Sequence, residues 1–321
     1  MIRLSGFSVA AVFGCVPART TDNFTVTAAL AGEEKAKAIV QATGFPVRRS
    51  VEKGVTVLEL MLPAAQAALT GVNPYDLGGI VAVSFSSPER FPSLAVRLQH
   101  ELGLPRTAAT LDLGLACSGY PYGLMVAGQL AVATGRPMLL VDGDVQSAHV
   151  DVEDVNTLAV MSDAATATLV MPGGGETQMD FLSDGSQADV LRCSAAGPIH
   201  MNGFGVFRFV ATEVTTFLKE FLAATGGEVP DFFVPHQANM YMVRQLAVAL
   251  GLDQRLLSSG PRFANPGSCS VPLTLAAGGF PDDANGVHDL DVLLAAFGAG
   301  LSASAARLSL SSGMRRGIVE I

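Results

Sequence analysis

Three residues carry side chains that could act together on a substrate. Cys117 lies in LGLACSGYPYGLM, after a run of small and apolar residues and before a long apolar stretch. Its small neighbours Ala116, Ser118 and Gly119 leave room for a substrate to approach the sulfur. The preceding AATLDLGLA reads as a strand and the following residues as a helix, with Pro121 in its first turn. A thiol there meets unpaired backbone N–H groups and the positive end of the helix dipole, which favour a nucleophilic thiolate. A free cysteine is also a common packing residue, so the local context leaves both roles open.

A cysteine nucleophile needs a base or a charge-stabilising partner. His236 follows the apolar run DFFVP and precedes QANMYMVRQLAVALGL, a helical pattern. It therefore sits at a strand-to-helix junction, where α/β proteins collect reacting groups. Asn265, in FANPGSCSVP, stands just before a Gly/Ser-rich helix start. Each of the two, read singly, also fits a structural role. The other histidines offer less: His100 lies on a solvated helix face, and His149, His200 and His288 sit in polar or glycine-containing stretches. Cys15, Cys193 and Cys269 read as structural, with Cys269 a possible cavity neighbour of Asn265.

The elements that must position these residues alternate along the chain. Strand signals occur at 78–86, 136–144 and 164–171, and their lack of clean alternation predicts strands covered on both faces. Helical patterns span 57–69, 93–104 and 120–133, the last apolar nearly all round and so buried. MPGGGETQ (171–178) reads as a surface turn. Beyond it come a helix near 206–224, a strand at 231–235, a helix at 240–250, a helix start within 264–279, and strands at 291–298 and 302–311. The similar element order predicts two α/β halves, 1–172 carrying Cys117 and 173–321 carrying His236 and Asn265, with a site between them.

Composition narrows the function. The 321 residues are 49% hydrophobic and 15% charged, which predicts a large core. A net charge of −9 gives no global field toward nucleic acid or anionic lipid, so an anionic partner needs a local basic patch. Apolar runs break before the length of a membrane span, and none is expected. The opening MIRLSGFSVAAVFGC is read as a first buried strand at 4–13 rather than a leader, because its basic region is one Arg and Phe13 is bulky. Four widely spaced cysteines without CxxC indicate neither zinc nor a disulfide framework, and a cytoplasmic setting is expected.

LACSGYPYGL, VPHQANMYMV and FANPGSCSVP, in that order, resemble the three active-site motifs of the β-ketoacyl-acyl-carrier-protein synthase III family of condensing enzymes. TGFPVRR, LVDGDVQSAHVDVEDVNT, MNGFGVFRF and AAFGAGLSASA extend the resemblance over essentially the whole chain. It implies an α/β thiolase fold, five-layered αβαβα and built from two similar halves, and a homodimer. It implies that Cys117 takes an acyl group as a thioester and that His236 and Asn265 hold the carbonyl of a second, malonyl thioester. Backbone N–H groups of Cys117 and Ala299 would form the oxyanion hole, Met161 and Gly298 would line the substrate pocket, and Arg208 and Arg244 would dock a carrier. The substrates would come on acyl carrier protein, on coenzyme A, or on both, with no metal or redox cofactor. Transfer of the acyl group to an alcohol or amine is the alternative on the same fold, and a non-catalytic partner subunit is a second.

The chain also departs from the family pattern. It has no Trp, and Ala38 falls near the place of the Trp that stacks coenzyme A. Val155 stands in the Arg position of DVEDVNT, and MSDAATA puts Met161 in place of a Phe and Ala164 in place of a Gly. These changes argue against the usual coenzyme A clamp and predict a reshaped acyl pocket.

Overall fold

The computed structural model describes residues 1–194, 197–280 and 288–321. Strands Gly79–Val83 and Met138–Asp144 are buried at every residue, so the missing alternation in their sequences reflects two covered faces. The two faces serve different layers. Ile80, Ala82, Leu139 and Val141 pack with helices Val57–Ala68 and Leu94–Glu101. Val81, Val83 and Leu140 turn the other way, onto helix Gly119–Thr134.

The second half repeats this arrangement. Leu293, Ala295 and Phe297 of strand Asp289–Gly298 pack with helices Thr215–Ala224 and Met240–Leu250, while Val292, Leu294 and Ala296 join the core around Gly119–Thr134 and helix Ser270–Ala277. Outer helices, a sheet layer, two central helices, a second sheet layer and outer helices make the five-layered αβαβα thiolase fold, and the long strand Ala164–Ser183 joins the two layers into one nine-stranded sheet. In the first half Ala109–Leu113, Gly79–Val83 and Met138–Asp144 run parallel, and Ala164–Ser183 returns antiparallel. In the second, Phe232–Pro235 is parallel to Asp289–Gly298, which pairs antiparallel with Ser302–Ser311.

Local signals explain the element ends. The Thr56 N–H donates to Glu59 Oε2 (2.7 Å), closing a capping box on Val57–Ala68. Asn239 Oδ1 accepts from the Met242 N–H (2.8 Å) to start Met240–Leu250, and Gly251 ends it at φ 71°. The expected helix at 206–224 is interrupted: Gly203–Phe209 and Thr215–Ala224 flank a π turn, Val210–Val214, where the Thr215 hydroxyl donates to the Val210 carbonyl at 2.8 Å. Helices Asn23–Ala31 and Glu33–Thr43 and the last strand, Arg315–Glu320, are further elements; that strand runs parallel beside the first strand, Ile2–Val16.

The stretch MPGGGETQ is a correction. The chain does not reverse there; it lies inside the single strand Ala164–Ser183, which crosses position 172 and pairs with Met138–Asp144 at one end and Ser302–Ser311 at the other. Between the pairs Phe7↔Pro172 and Ser5↔Glu176, residues Gly173, Gly174 and Gly175 face Gly6 alone. Glycine runs serve bulges as well as turns, because both need backbone conformations closed to other residues. Gly174 has φ 148°, and a Cβ there would lie 2.3 Å from the Phe7 carbonyl oxygen. Gly174→Ala is therefore expected to cost roughly 2 kcal/mol or more in urea unfolding. Gly175→Ala, with nothing within 4 Å of its added carbon, should change little. Equal effects of the two would contradict this account of the bulge.

Candidate active site

Cys117 lies in the connection between strand Ala109–Leu113 and helix Gly119–Thr134, two residues ahead of the helix rather than in its first turn. This connection is tied to the other half of the molecule. Ser118 Oγ shares a 2.7 Å hydrogen bond with Ser302 Oγ, and the Ser304 hydroxyl donates to the Ser118 carbonyl at 2.8 Å. Gly298, at the end of strand Asp289–Gly298, closes the fit from the opposite side. A Cβ at Gly298 would sit 2.6 Å from Cys117 Cβ, so only glycine lets the sulfur occupy its place.

His236 extends the ladder of its strand: its N–H donates to the Ala295 carbonyl at 2.7 Å. The ring stands edge-on to Phe297, with centroids 5.3 Å apart. Ser270 Oγ accepts from the Gln237 N–H (3.2 Å) and meets His236 Nδ1 at 2.6 Å. With the Gln237 N–H on one of its two lone pairs, the hydroxyl donates to Nδ1 in the tautomer that carries the ring proton on Nε2, the nitrogen left for substrate. Gln237 is itself buried and receives Ser258, Ser259 and Gly260 on its Oε1, bracing the segment that leads to Asn265.

Asn265 is held through its backbone. Its N–H donates to the Val160 carbonyl, and its own carbonyl accepts from the Ser162 N–H and from Gln146 Nε2 at 2.7 Å. Its Oδ1 accepts from the Gly267 N–H at 3.0 Å, which leaves the side-chain NH2 as donor. Ala264, just before it, has φ 52°, a positive value uncommon for a residue with a Cβ. Asp144 supports the same region. It accepts from Ser84 Oγ, the Phe85 N–H and the Ser86 N–H on one oxygen and from Ser268 Oγ on the other.

Cys117, His236 and Asn265 line one cavity of about 80 Å³, together with Met161, Phe297 and Gly298. A second cavity, of about 750 Å³, also reaches Cys117, Met161 and Ala299. Burial dominates the electrostatics. It pushes the Cys117 thiol up to about 12, with the Asp144 charge adding to the rise. The expected thiolate at a helix start is corrected here: loss of hydration outweighs what the helix end supplies, and the thiol of the free protein is neutral. Burial also lowers His236 to about 3, so its imidazole is neutral, and raises Asp144 to about 7 against the pull of its hydrogen bonds.

Other sequence-marked residues fall outside the cavities. Arg208 and Arg244 are exposed and line neither one. Cys15 and Cys269 are buried among apolar side chains. Val155 packs with Ile39 and Ala159, and Ala38 is exposed on its helix. Four further residues of the site carry weaker signals in the sequence. Gln237 follows His236 directly and Ser270 lies five residues beyond Asn265, both inside the quoted motifs, where nothing in their type marks them. His149 and Cys193, set aside as polar or structural, line the larger cavity. Among the described residues no cluster of His, Cys, Asp or Glu could hold a metal ion.

Comparison with known proteins gives the same picture. Residues 111–189 match the family model described as 3-oxoacyl-[acyl-carrier-protein] synthase III, and residues 226–310 match its C-terminal model. A β-ketoacyl-[acyl-carrier-protein] synthase III of Streptomyces coelicolor is 32% identical over 93% of this chain and 92% of its own length. The crystal structure of a 3-oxoacyl-(acyl-carrier protein) synthase from Burkholderia xenovorans superposes with a TM-score of 0.93 at 26% identity, covering 100% of this chain and 98% of the other. A priming β-ketosynthase of a polyketide pathway follows at TM-score 0.85 and 27% identity, covering 95% and 96%. With a relative so similar across nearly its whole length, and both family models matched in order, the chain belongs to the 3-oxoacyl-[acyl-carrier-protein] synthase III family.

Proposed function

We propose that this protein is a condensing acyltransferase that loads an acyl group on Cys117 and joins it, with loss of carbon dioxide, to a malonyl thioester. The observation that carries the reading is the single cavity shared by a thiol, a neutral imidazole and an amide drawn from separate parts of the chain. In loading, the Cys117 sulfur bonds to the acyl carbon as the carrier's carbon–sulfur bond breaks. The thiol proton leaves on the departing carrier thiol, so the step needs no net base. Backbone N–H groups of Cys117 and Ala299 receive the oxyanion.

In the second half-reaction the malonyl carboxylate departs as carbon dioxide and its electron pair passes to the thioester oxygen. His236 Nε2–H and the Asn265 NH2 donate to that enolate. A neutral donor suits the task, because it strengthens its hydrogen bonds as charge appears and gives up no proton. The carbanion attacks the acyl carbonyl, and Cys117 leaves with a solvent proton. The product is a 3-oxoacyl thioester, and the roles call on no metal or redox cofactor.

Acyl carrier protein, coenzyme A or both present the thioesters in this reading, with Arg208 and Arg244 as exposed cations for a carrier. Two copies pair as a homodimer. The strand Ala109–Leu113 supports this: it ends its sheet, and Leu111 is 41% exposed on it. A reducing compartment such as the cytoplasm fits four cysteines that are all free. No helix among the described residues is long and apolar enough to cross a membrane.

Two outcomes test the reading. Carbon dioxide should be released when acylated protein meets malonyl-carrier, and Asn265→Ala should slow that release by roughly 100-fold or more while acyl loading changes little. Adduct formation without carbon dioxide would favour transfer to an alcohol or amine, and comparable losses in both steps would contradict the role of Asn265. Alkylation of Cys117 in the free protein should also rise with pH. Below a thiol value of about 12 the thiolate fraction grows about tenfold per pH unit, so the iodoacetamide rate should climb from pH 7 to 9 without a plateau. A plateau below pH 8 would show that burial does not control the thiol.

A further inference from the structure

The larger cavity divides into two kinds of surface. Part of its lining is apolar, with Phe85, Leu115, Met161 and Ile199 among its walls beside Cys117, Ala116 and Ala299. Its remaining lining includes Gln146, His149, Arg90 and Arg192. Arg90 is exposed and makes no ion pair among the described residues, while Arg192 has only Asp189, at 3.8 Å, and stays 57% exposed. His149 leans on Phe85, with ring centroids 5.6 Å apart. The acid on this lining, Glu89, is engaged by Arg97 at 3.1 Å. A cation-rich lining is notable in a chain of net charge −9.

We propose that this cavity takes an acyl group with an apolar stem and a carboxylate at its far end. The inference rests on Cys117 as the acylated residue and adds the class of acyl group. The stem would lie against Phe85, Met161 and Ile199, and the terminal carboxylate would meet the guanidinium of Arg90 or Arg192, which offer paired N–H donors to a planar anion. A plain alkyl tail of the same length would gain nothing from those cations. The volume of about 750 Å³ leaves room for a chain of several carbons beyond the thioester. Phosphates of the carrier are a different anion with the same chemistry, so the test uses donors that carry none.

N-acetylcysteamine thioesters of glutaryl and adipyl are compared with those of pentanoyl and hexanoyl, and the initial rate of the Cys117 adduct is read by mass spectrometry. The expected result is loading of the carboxylate-tailed groups about tenfold or more faster. In the Arg90→Ala/Arg192→Ala double variant the ratio of the two rates should fall to about one, and Arg90→Lys/Arg192→Lys should keep part of it. Alkyl groups loading as fast or faster would overturn the proposal and leave the acyl-enzyme reading intact. So would a ratio that the Ala variant does not change. No adduct from any thioester would overturn both.

Discussion

Helix Gly119–Thr134 is buried between two sheets, and that burial fixes where the sulfur of Cys117 can be. Tyr120, Leu124, Ala127 and Ala131 are fully buried in a core to which both halves contribute. A side chain of the size of Leu124 contributes about 1.5–3 kcal/mol on leaving water, and an alanine methyl about 0.8 kcal/mol. The connection ahead of the helix inherits this rigidity and is pinned again by Ser302 and Ser304 from the other half. A side chain on Gly298 would displace it. His236 and Asn265 arrive by separate routes, one on a strand end and the other through a backbone bridge to Met161.

Burial that makes the site precise also removes its charge. The thiol, the imidazole and the amide are all neutral in the free protein, and the nearest buried carboxylate, Asp144, is held by four donors. Such a site gains little from binding an uncharged ground state. Its fixed donors gain most when an oxyanion or enolate forms beside them, as the proposed chemistry requires. Arg90, Arg192, Arg208 and Arg244 are exposed, on the lining of the large cavity and on helices.

Much of this was legible in the sequence. Buried parallel strands announce themselves by losing alternation, and the all-round apolar helix after Cys117 could only be internal. Three short motifs identified the residues that meet in one cavity. What the sequence left unread follows from nonlocal effects. The Gly173–Gly175 run looked like a turn because glycine marks positive φ without saying whether the chain reverses. The thiol looked acidic because its neighbours in sequence show a helix start but not the depth of burial. Ser270 meets the His236 ring from 34 residues away, a distance at which no spacing pattern speaks. The last strand, Arg315–Glu320, pairs with the first, a contact that only the closed fold brings together.

The central claim is that the buried thiol of Cys117 carries the acyl group. Incubation with an acyl thioester followed by peptide mapping tests it most directly. The account predicts one stoichiometric adduct, on the peptide bearing Cys117 and absent in Cys117→Ser. An adduct on the exposed Cys193 instead, or none on any cysteine, would contradict it.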